Sequence, residues 1–397
     1  MNKPITIGLY GFGVVGQGFY EILQRSTSMD VKVQKICVKD ESKSRALDMD
    51  SFTFDRYALL KDSEVGLIVE LISDADAAFE IVKYALENGK DVISANKKMI
   101  AQHMQELIEL QEKHGTSLLY EASSCSSIPI LRNLEEYYDN DLLKSVSGVM
   151  NASTNYILTK IFRLDRDYDL AVKEAQDLGY AEADPRLDLI GLDGLYKMLI
   201  LVTHAYGIVV KPEEVVTHGI QNISKYDIKF AREKGYIIRH TCHATKVGDN
   251  EIAMYVLPEF VKEDNLFYGI EYEDNGVMVD AAFSGGQFFK GKGAGGFATG
   301  SAVISDLSAR SYDYKYAYKK RSYDLGNSVT NDYEITVYLR YYDQKNCDAF
   351  QFEKILGQFN SDKYSYVIGT IKLSSILSVG DRLNNADIMM VKISDWQ

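Results

Sequence analysis

The chain reads as an α/β protein, a Rossmann-like doubly wound parallel sheet joined to an α+β second domain and a small C-terminal unit. Three observations predict this. The glycine-rich turn Gly11-x-Gly13-x-x-Gly16 falls between a first strand and a first helix. Strands and helices then alternate over roughly 130 residues, the order of a parallel sheet with helices on both faces. Past residue 140 the alternation gives way to helices and then to successive strand-like stretches, as in an α+β domain.

Element by element, residues 5–10 are apolar enough for a buried strand, and Phe19, Ile22 and Leu23 give the following helix its apolar spacing. Strands are expected at 31–38, 65–72, 91–94 and 117–120. Helices are expected at 77–88, stopped at Gly89, and at 97–114. In the second half, a strand at 143–150 precedes helices at 155–163 and 168–178, the latter closed by Gly179. A long, mostly apolar helix follows at 191–206. Strand-like stretches at 237–247, 251–257 and 276–283 lead through glycine-rich 291–300 into a helix at 301–310. The last stretch alternates at 334–341 and 364–373, has helical spacing at 350–359 and closes on a strand at 388–393. It thus reads βαββ.

These elements group as a dinucleotide-binding domain over 1–135, with 295–315 returning to it, a second domain over 136–294 and a C-terminal unit over 320–397. At 397 residues, two or three domains of ordinary size are expected. Only five prolines occur, so no proline-rich linker separates them.

Composition narrows the function. Hydrophobic residues make up 46% and charged residues 25%, with mean hydropathy −0.19, a globular balance. The net charge of −13 repels a phosphate backbone, and no basic run exceeds Lys319-Lys320-Arg321, so no nucleic-acid partner is expected. No secretory h-region and no apolar stretch of about 18 residues is present, so no membrane association is expected. Cys37, Cys125, Cys242 and Cys347 lie far apart and never form CxxC, which fits a reducing, cytoplasmic setting. His240-x-Cys242-His243 hints at metal, but on a strand the two histidines point to opposite faces.

The first candidate site is the glycine turn. Gly11 permits the tight turn, Gly13 lets the backbone approach a pyrophosphate, and Gly16 lets helix and strand pack closely. Phe12, Val14 and Val15 complete the loop, and the pyrophosphate rests on the helix N-terminus. At the end of the second strand an acidic residue would hold the ribose 2′-OH of NAD, and a basic one the 2′-phosphate of NADP. Here Lys39 and Asp40 stand together, followed by Lys43 and Arg45, which leans the reading to NADP with NAD as the other choice.

The second candidate site is Asp193 and Lys197, one turn apart on one helix face. Oxidation of an alcohol needs a hydride acceptor and a base for the hydroxyl proton. A desolvated lysine can be that base, and the reverse reaction uses it as an acid.

Several stretches resemble one family, the homoserine dehydrogenases. They are Val92-Ile93-Ser94-Ala95-Asn96-Lys97-Lys98, Gly148-Val149-Met150-Asn151-Ala152-Ser153-Thr154-Asn155-Tyr156, and Gly179-Tyr180-Ala181-Glu182-Ala183-Asp184-Pro185 with Asp188, Gly191, Asp193 and Lys197. Gly291-x-Gly293-Ala294-Gly295 with Thr299-Gly300-Ser301-Ala302 completes the set, in the family's order. The resemblance implies NAD(P)-dependent interconversion of L-homoserine and L-aspartate 4-semialdehyde, on the route to threonine and methionine. It makes Lys197, Lys97 and Asp193 catalytic, and Glu182, Asp188 and Tyr180 substrate-binding. Asn96, Lys97 and Gly295 join the cofactor residues. It also implies a homo-oligomer, with a dimer favoured and formed through the second domain.

Two departures stand out. The loop after Tyr120 resembles E-A-x-V-G-G-G-I-P, but the three glycines read Cys125, Ser126 and Ser127, and Ala298 replaces a proline. In the family this loop holds a monovalent cation such as sodium, and the matching positions are Glu121, Ser124, Ser126 and Ile128. Cys125 raises a rival reading, a semialdehyde dehydrogenase with a cysteine nucleophile. A second rival is a catalytically silent dinucleotide sensor. The C-terminal βαββ order resembles the early part of an ACT-type module, which would imply an amino-acid effector.

Overall fold

Six strands of the first unit pair in parallel: β1 (Ile5–Tyr10), β2 (Val31–Cys37), β3 (Phe52–Thr53), β4 (Leu67–Glu70), β5 (Asp91–Ser94) and β6 (Leu118–Leu119). Their order is β3-β2-β1-β4-β5-β6. Ile7, Leu9, Leu67, Ile68, Val69, Val92 and Ile93 are all buried, which is why these strands read as apolar runs rather than as alternating patterns. The order reverses between β1 and β4, the place where such sheets bind ligands. This computed structural model describes residues 4–27, 29–139, 142–181, 184–323 and 325–394. It divides into Met1–Tyr137 with Ala294–Lys319, and Tyr138–Gly293 with Lys320–Gln397.

Helices Val14–Arg25, Ala75–Glu87 and Lys97–His114 connect the strands. Asp74 and Asn96 cap the latter two by accepting the N–H of Ala77 and of Met99. The helix Gly296–Arg310, far along the sequence, lies on Val14–Arg25. A β carbon at Gly18 would come 2.3 Å from the carbonyl oxygen of Gly296, so the two backbones touch only because no side chain intervenes. At the other end Arg310 Nε bonds Asp91 at 2.7 Å.

Among the described residues the second unit carries eleven strands: β7 (Leu143–Val149), β8 (Val216–Thr217), β9 (Ile237–Lys246), β10 (Glu251–Val261), β11 (Asp274–Ala281), β12 (Gly285–Lys292), β13 (Ser328–Val329), β14 (Glu334–Tyr341), β15 (Phe352–Asn360), β16 (Ser365–Lys372) and β17 (Met389–Ile393). The sheet runs β12-β11-β7-β9-β10-β17-β14-β16-β15, and β8 and β13 also pair with β10. One edge of β10 is thus shared by β13, β8 and β17 in turn. Pro258 sits between the β8 and β17 pairings, so β10 runs through a proline that the sequence suggests as a strand end.

Residues 320–397, expected as a unit of their own, extend this same sheet. The helix Lys225–Glu233 ties them down. Its Asp227 meets Arg340 of β14 at 3.1 Å, with both side chains essentially inaccessible, and Phe230 packs against Tyr338 and Tyr366. The helix expected at 350–359 is instead the edge strand β15. Its residues are exposed on both faces and two bulges interrupt it, so no period-2 burial marks the sequence, and Phe352, Ile355 and Phe359 imitate a helical spacing. No helix among the described residues is long and apolar enough to cross a membrane.

Candidate active site

In the first unit the strand β1 ends at Tyr10 and the chain turns at Gly11, whose φ of +91° only glycine adopts freely. A β carbon at Gly16 would come 2.4 Å from the Gly11 carbonyl oxygen, so glycine there permits the tight packing of helix on turn. Gly13 caps the helix without a side-chain bond, no acidic residue occupies the first turn, and the space above Gly13 is open. A bare, positively polarised helix end facing open space fits a pyrophosphate. Phe12 packs edge-on against Phe52 and Tyr20, while Val14 is 73% exposed at the mouth of this cradle.

Beyond β2, Lys39 and Asp40 are both exposed. The Asp40 carboxylate accepts the Ser42 N–H at 2.9 Å and its hydroxyl at 2.6 Å, which holds its pKa below the usual value. Arg45 donates to the carbonyls of Asp40 and Lys43 and lies over the Phe52 ring. The acid is turned into its own loop, and three cations surround that loop.

Asn96 serves chiefly as a structural joint. Its oxygen caps the helix Lys97–His114 and its Nδ2 donates to Ile72 O at 3.1 Å. Beside it Ser94 donates to Glu70 at 2.5 Å, and full burial pushes the Glu70 pKa up to about 7. Lys97 opens the helix and is half-buried. Gly295, with φ of +117°, precedes the helix Gly296–Arg310, which no side chain caps.

The Glu121 carboxylate accepts the N–H of Leu131 at 2.7 Å and of Arg132 at 3.0 Å, and the Arg132 guanidinium lies 3.5 Å away. Beside it burial raises the Asp306 pKa well above the ordinary range, with the Glu121 charge adding to the rise. The Ile128 carbonyl accepts from Ile130, and the Ser126 hydroxyl meets that of Thr299. The Glu121 carboxylate is therefore already held by two backbone N–H groups and a guanidinium. Ser126 takes φ of +51°, the conformation a glycine would hold there without cost. Cys125 is fully buried, which suits a packed thiol better than a nucleophile.

In the second unit Asn151 caps the helix Ala152–Leu164 through its oxygen. Its Nδ2 donates to Asp188 at 2.7 Å and to Asp193 at 2.8 Å. Asp193 in turn holds Lys197 Nζ at 2.9 Å, and that nitrogen also donates to the Met150 carbonyl at 2.6 Å. Asn275 donates to the same carbonyl. Lys197 and Asp193 are each 6% exposed. Asp188 and the Asp193–Lys197 pair, picked out by sequence, are thus joined by a residue that sequence reasoning left out. The signal was present, since Asn151 lies inside a quoted motif and is an N-cap type. Tyr180 is linked less directly: its carbonyl accepts from Ser153 and its ring packs on Tyr156. Glu182 lies outside the described residues. His240 and His243 face opposite sides of β9, the first toward the His218 carbonyl and the second toward Glu259.

Comparisons with known proteins point to one family. The family profile "Homoserine dehydrogenase, NAD binding domain" matches residues 11–121, and "Homoserine dehydrogenase" matches residues 129–308. A homoserine dehydrogenase from Bacillus subtilis is 34% identical over 316 residues, covering 77% of this chain and 73% of that protein. One from Lactococcus lactis is 30% identical over 377 residues, covering 91% and 88%. The crystal structure of a homoserine dehydrogenase from Thiobacillus denitrificans superposes with a TM-score of 0.85 at 26% identity, covering 99% of each chain. A hyperthermophilic archaeal homoserine dehydrogenase mutant in complex with NADPH gives 0.67 at 26% identity, covering 79% of this chain and all of that one, 100%.

Proposed function

The chain belongs to the homoserine dehydrogenase family and is an NAD(P)-dependent oxidoreductase acting on a CH–OH group, and we propose that Lys197 is the acid and base of that reaction. The observation that carries this is the buried Asn151–Asp193–Lys197 chain of contacts. An ammonium has three N–H donors. Asp193 and the Met150 carbonyl take two of those on Lys197, and the third serves the substrate oxygen. In the oxidising direction neutral Lys197 accepts the hydroxyl proton of L-homoserine. In the reducing direction the ammonium returns it to the oxygen of aspartate 4-semialdehyde. Asp188, with Glu182, supplies the negative charge that draws the substrate ammonium. When bound, the nicotinamide dinucleotide supplies the hydride acceptor or donor. No step runs through a monovalent cation.

The cofactor is proposed to be NADP in preference to NAD. Asp40 is occupied by Ser42, and Lys39, Lys43 and Arg45 offer the positive charge a 2′-phosphate needs. Gly11, Phe12, Gly13, Val14, Val15 and Gly16 are proposed to cradle the pyrophosphate, with Lys97 and Gly295 completing the site. A homodimer working in the cytoplasm completes the reading that the family supports. Purified protein with L-homoserine and NADP or NAD, side by side, tests it: reduced nicotinamide should form, faster at low cofactor with NADP. Light scattering on a sizing column tests the dimer.

A further inference from the structure

The Met150 carbonyl that holds Lys197 is shared. Its oxygen accepts from the Lys197 ammonium at 2.6 Å and from the Asn275 side-chain amide at 3.0 Å. A carbonyl oxygen has two lone pairs, so both are taken. The local fold brings this about. β7 and β11 run antiparallel, and at this end their last pair is Val149 with Gly276. Met150 and Asn275 come next, just where the backbone pairing stops. The Asn275 side chain takes the acceptor that the ladder leaves open.

Asn275 is itself held from two sides. Asn155 Nδ2, on the helix Ala152–Leu164, reaches the carbonyls of Ile270, Tyr272 and Asp274 and so fixes the turn before it. On the other side stands Gly293. A β carbon there would come 2.2 Å from Asn275 Oδ1, so the amide keeps its place only because residue 293 has no side chain. The Gly293 backbone is not left-handed, so glycine is there for the space and not for a turn. Asn275 is also fully buried, and its Oδ1 has no hydrogen-bond partner among the described residues. An unpaired buried acceptor costs free energy. Lys197 already satisfies the Met150 carbonyl, and an apolar side chain at 275 would leave nothing unpaired. Stability alone therefore does not call for an amide here.

We propose that Asn275 is a positioning residue for the proton transfer by Lys197: it occupies one lone pair of the Met150 carbonyl and leaves the lysine a single seat on the other. With Asp193 as the second contact at 2.9 Å, two N–H directions of the ammonium are set, and the third is set with them. Without Asn275 the ammonium can swing between the two lone pairs. A displacement of about 1 Å between reacting groups costs about 100-fold in rate. The proposal rests on Lys197 being the acid and base, as proposed above.

The test is steady-state kinetics and thermal unfolding of the full chain for Asn275→Leu, Asn275→Ala and Lys197→Ala. Asn275→Leu should lower kcat for homoserine roughly 10- to 100-fold and leave both KM values within about twofold, the mark of an interaction made in the transition state. It should unfold at a temperature no lower than the wild type, since it removes the unpaired oxygen. Asn275→Ala should show the same kcat loss, with a lower midpoint for the cavity it opens. Gly293→Ala pushes the amide off the carbonyl and should reproduce that loss, and joining it to Asn275→Ala should add little. In the Lys197→Ala background, Asn275→Leu should leave the residual turnover unchanged. Wild-type kcat in both Asn275 variants, a loss carried by KM, or a further loss in the Lys197→Ala background would overturn the positioning role. A lowered midpoint in Asn275→Leu would overturn the view that the amide is kept at a cost to stability. Wild-type turnover by Lys197→Ala would instead overturn the assignment on which the proposal rests.

Discussion

Asn151 holds Asp193 by a 2.8 Å hydrogen bond, and the other proton of the same amide nitrogen reaches Asp188 at 2.7 Å. Two carboxylates that would repel one another are thereby fixed on either side of one neutral donor. One of them holds the lysine, and the other is the carboxylate proposed to meet the substrate ammonium.

Asn151→Ala should therefore lower kcat/KM for homoserine by about 10- to 100-fold, since a hydrogen bond to a charged group contributes roughly 1.5–3 kcal/mol. It also removes a helix cap, at a cost of about 1 kcal/mol. Asn151→Asp keeps the cap oxygen and adds a third negative charge. It should be the less active variant while being the more stable at the helix end. Kinetics and thermal denaturation of the two variants together separate positioning from folding. Equal activity in both would contradict the bridging role.

Lys39→Ala should raise the KM for NADP roughly tenfold and leave that for NAD nearly unchanged, because only the former carries the phosphate that this charge meets. Initial rates with both cofactors check it. Equal losses with both would mean that Lys39 supports the loop and does not read the phosphate.

Glu70 gives a pH-dependent prediction. Its folded pKa of about 7 stands above the ordinary 4.5, so the folded state binds the extra proton between those values. Stability should then fall as pH rises through this window, be fully reduced above about 7, and be unaffected below about 4.5. Glu70→Gln keeps an acceptor for the Ile72 N–H and a partner for Ser94. It should be more stable than wild type by about 3 kcal/mol at neutral pH, with the gain vanishing in acid. Urea unfolding across this range checks the slope. A variant less stable at every pH would contradict it.

Asp227→Ala leaves Arg340 buried without its carboxylate, which typically costs about 3–5 kcal/mol. Because the pair joins the helix Lys225–Glu233 to β14, the loss should appear first as exchange of the amides in β14 and β17. Hydrogen exchange followed by mass spectrometry reads this directly. Uniform protection would show that the C-terminal strands hold without the pair.

Much of this was legible in the sequence. The parallel sheet declared itself because β1, β4 and β5 are largely buried and so appear as short apolar runs, although β2 is half-exposed and carries Lys32, Gln34 and Lys35. The helices at 97–114 and 192–206 were legible from length and apolar spacing. The returning helix was legible from its glycines, though it begins at Gly296 and not at Ser301, since small residues hide a helix start that is packed against another backbone. Strand β15 was not legible, because an exposed edge strand has no buried face to impose alternation. The helix Lys225–Glu233 was missed although Ser224 and Asp227 form a capping box, a local signal weaker than the surrounding charge. At the site, Asp193 and Lys197 follow from helical spacing. Asn151 does not, because its role depends on contacts across 37 and 42 residues.

The central claim is that Lys197 moves the proton of the substrate hydroxyl, and turnover of Lys197→Ala tests it most directly. With L-homoserine and NADP at saturation, the variant should lose about 10²- to 10⁴-fold in kcat, while NADP affinity, measured by fluorescence of the bound nucleotide, stays within error of the wild type. A Lys197→Ala variant that turns over at the wild-type rate would contradict the account.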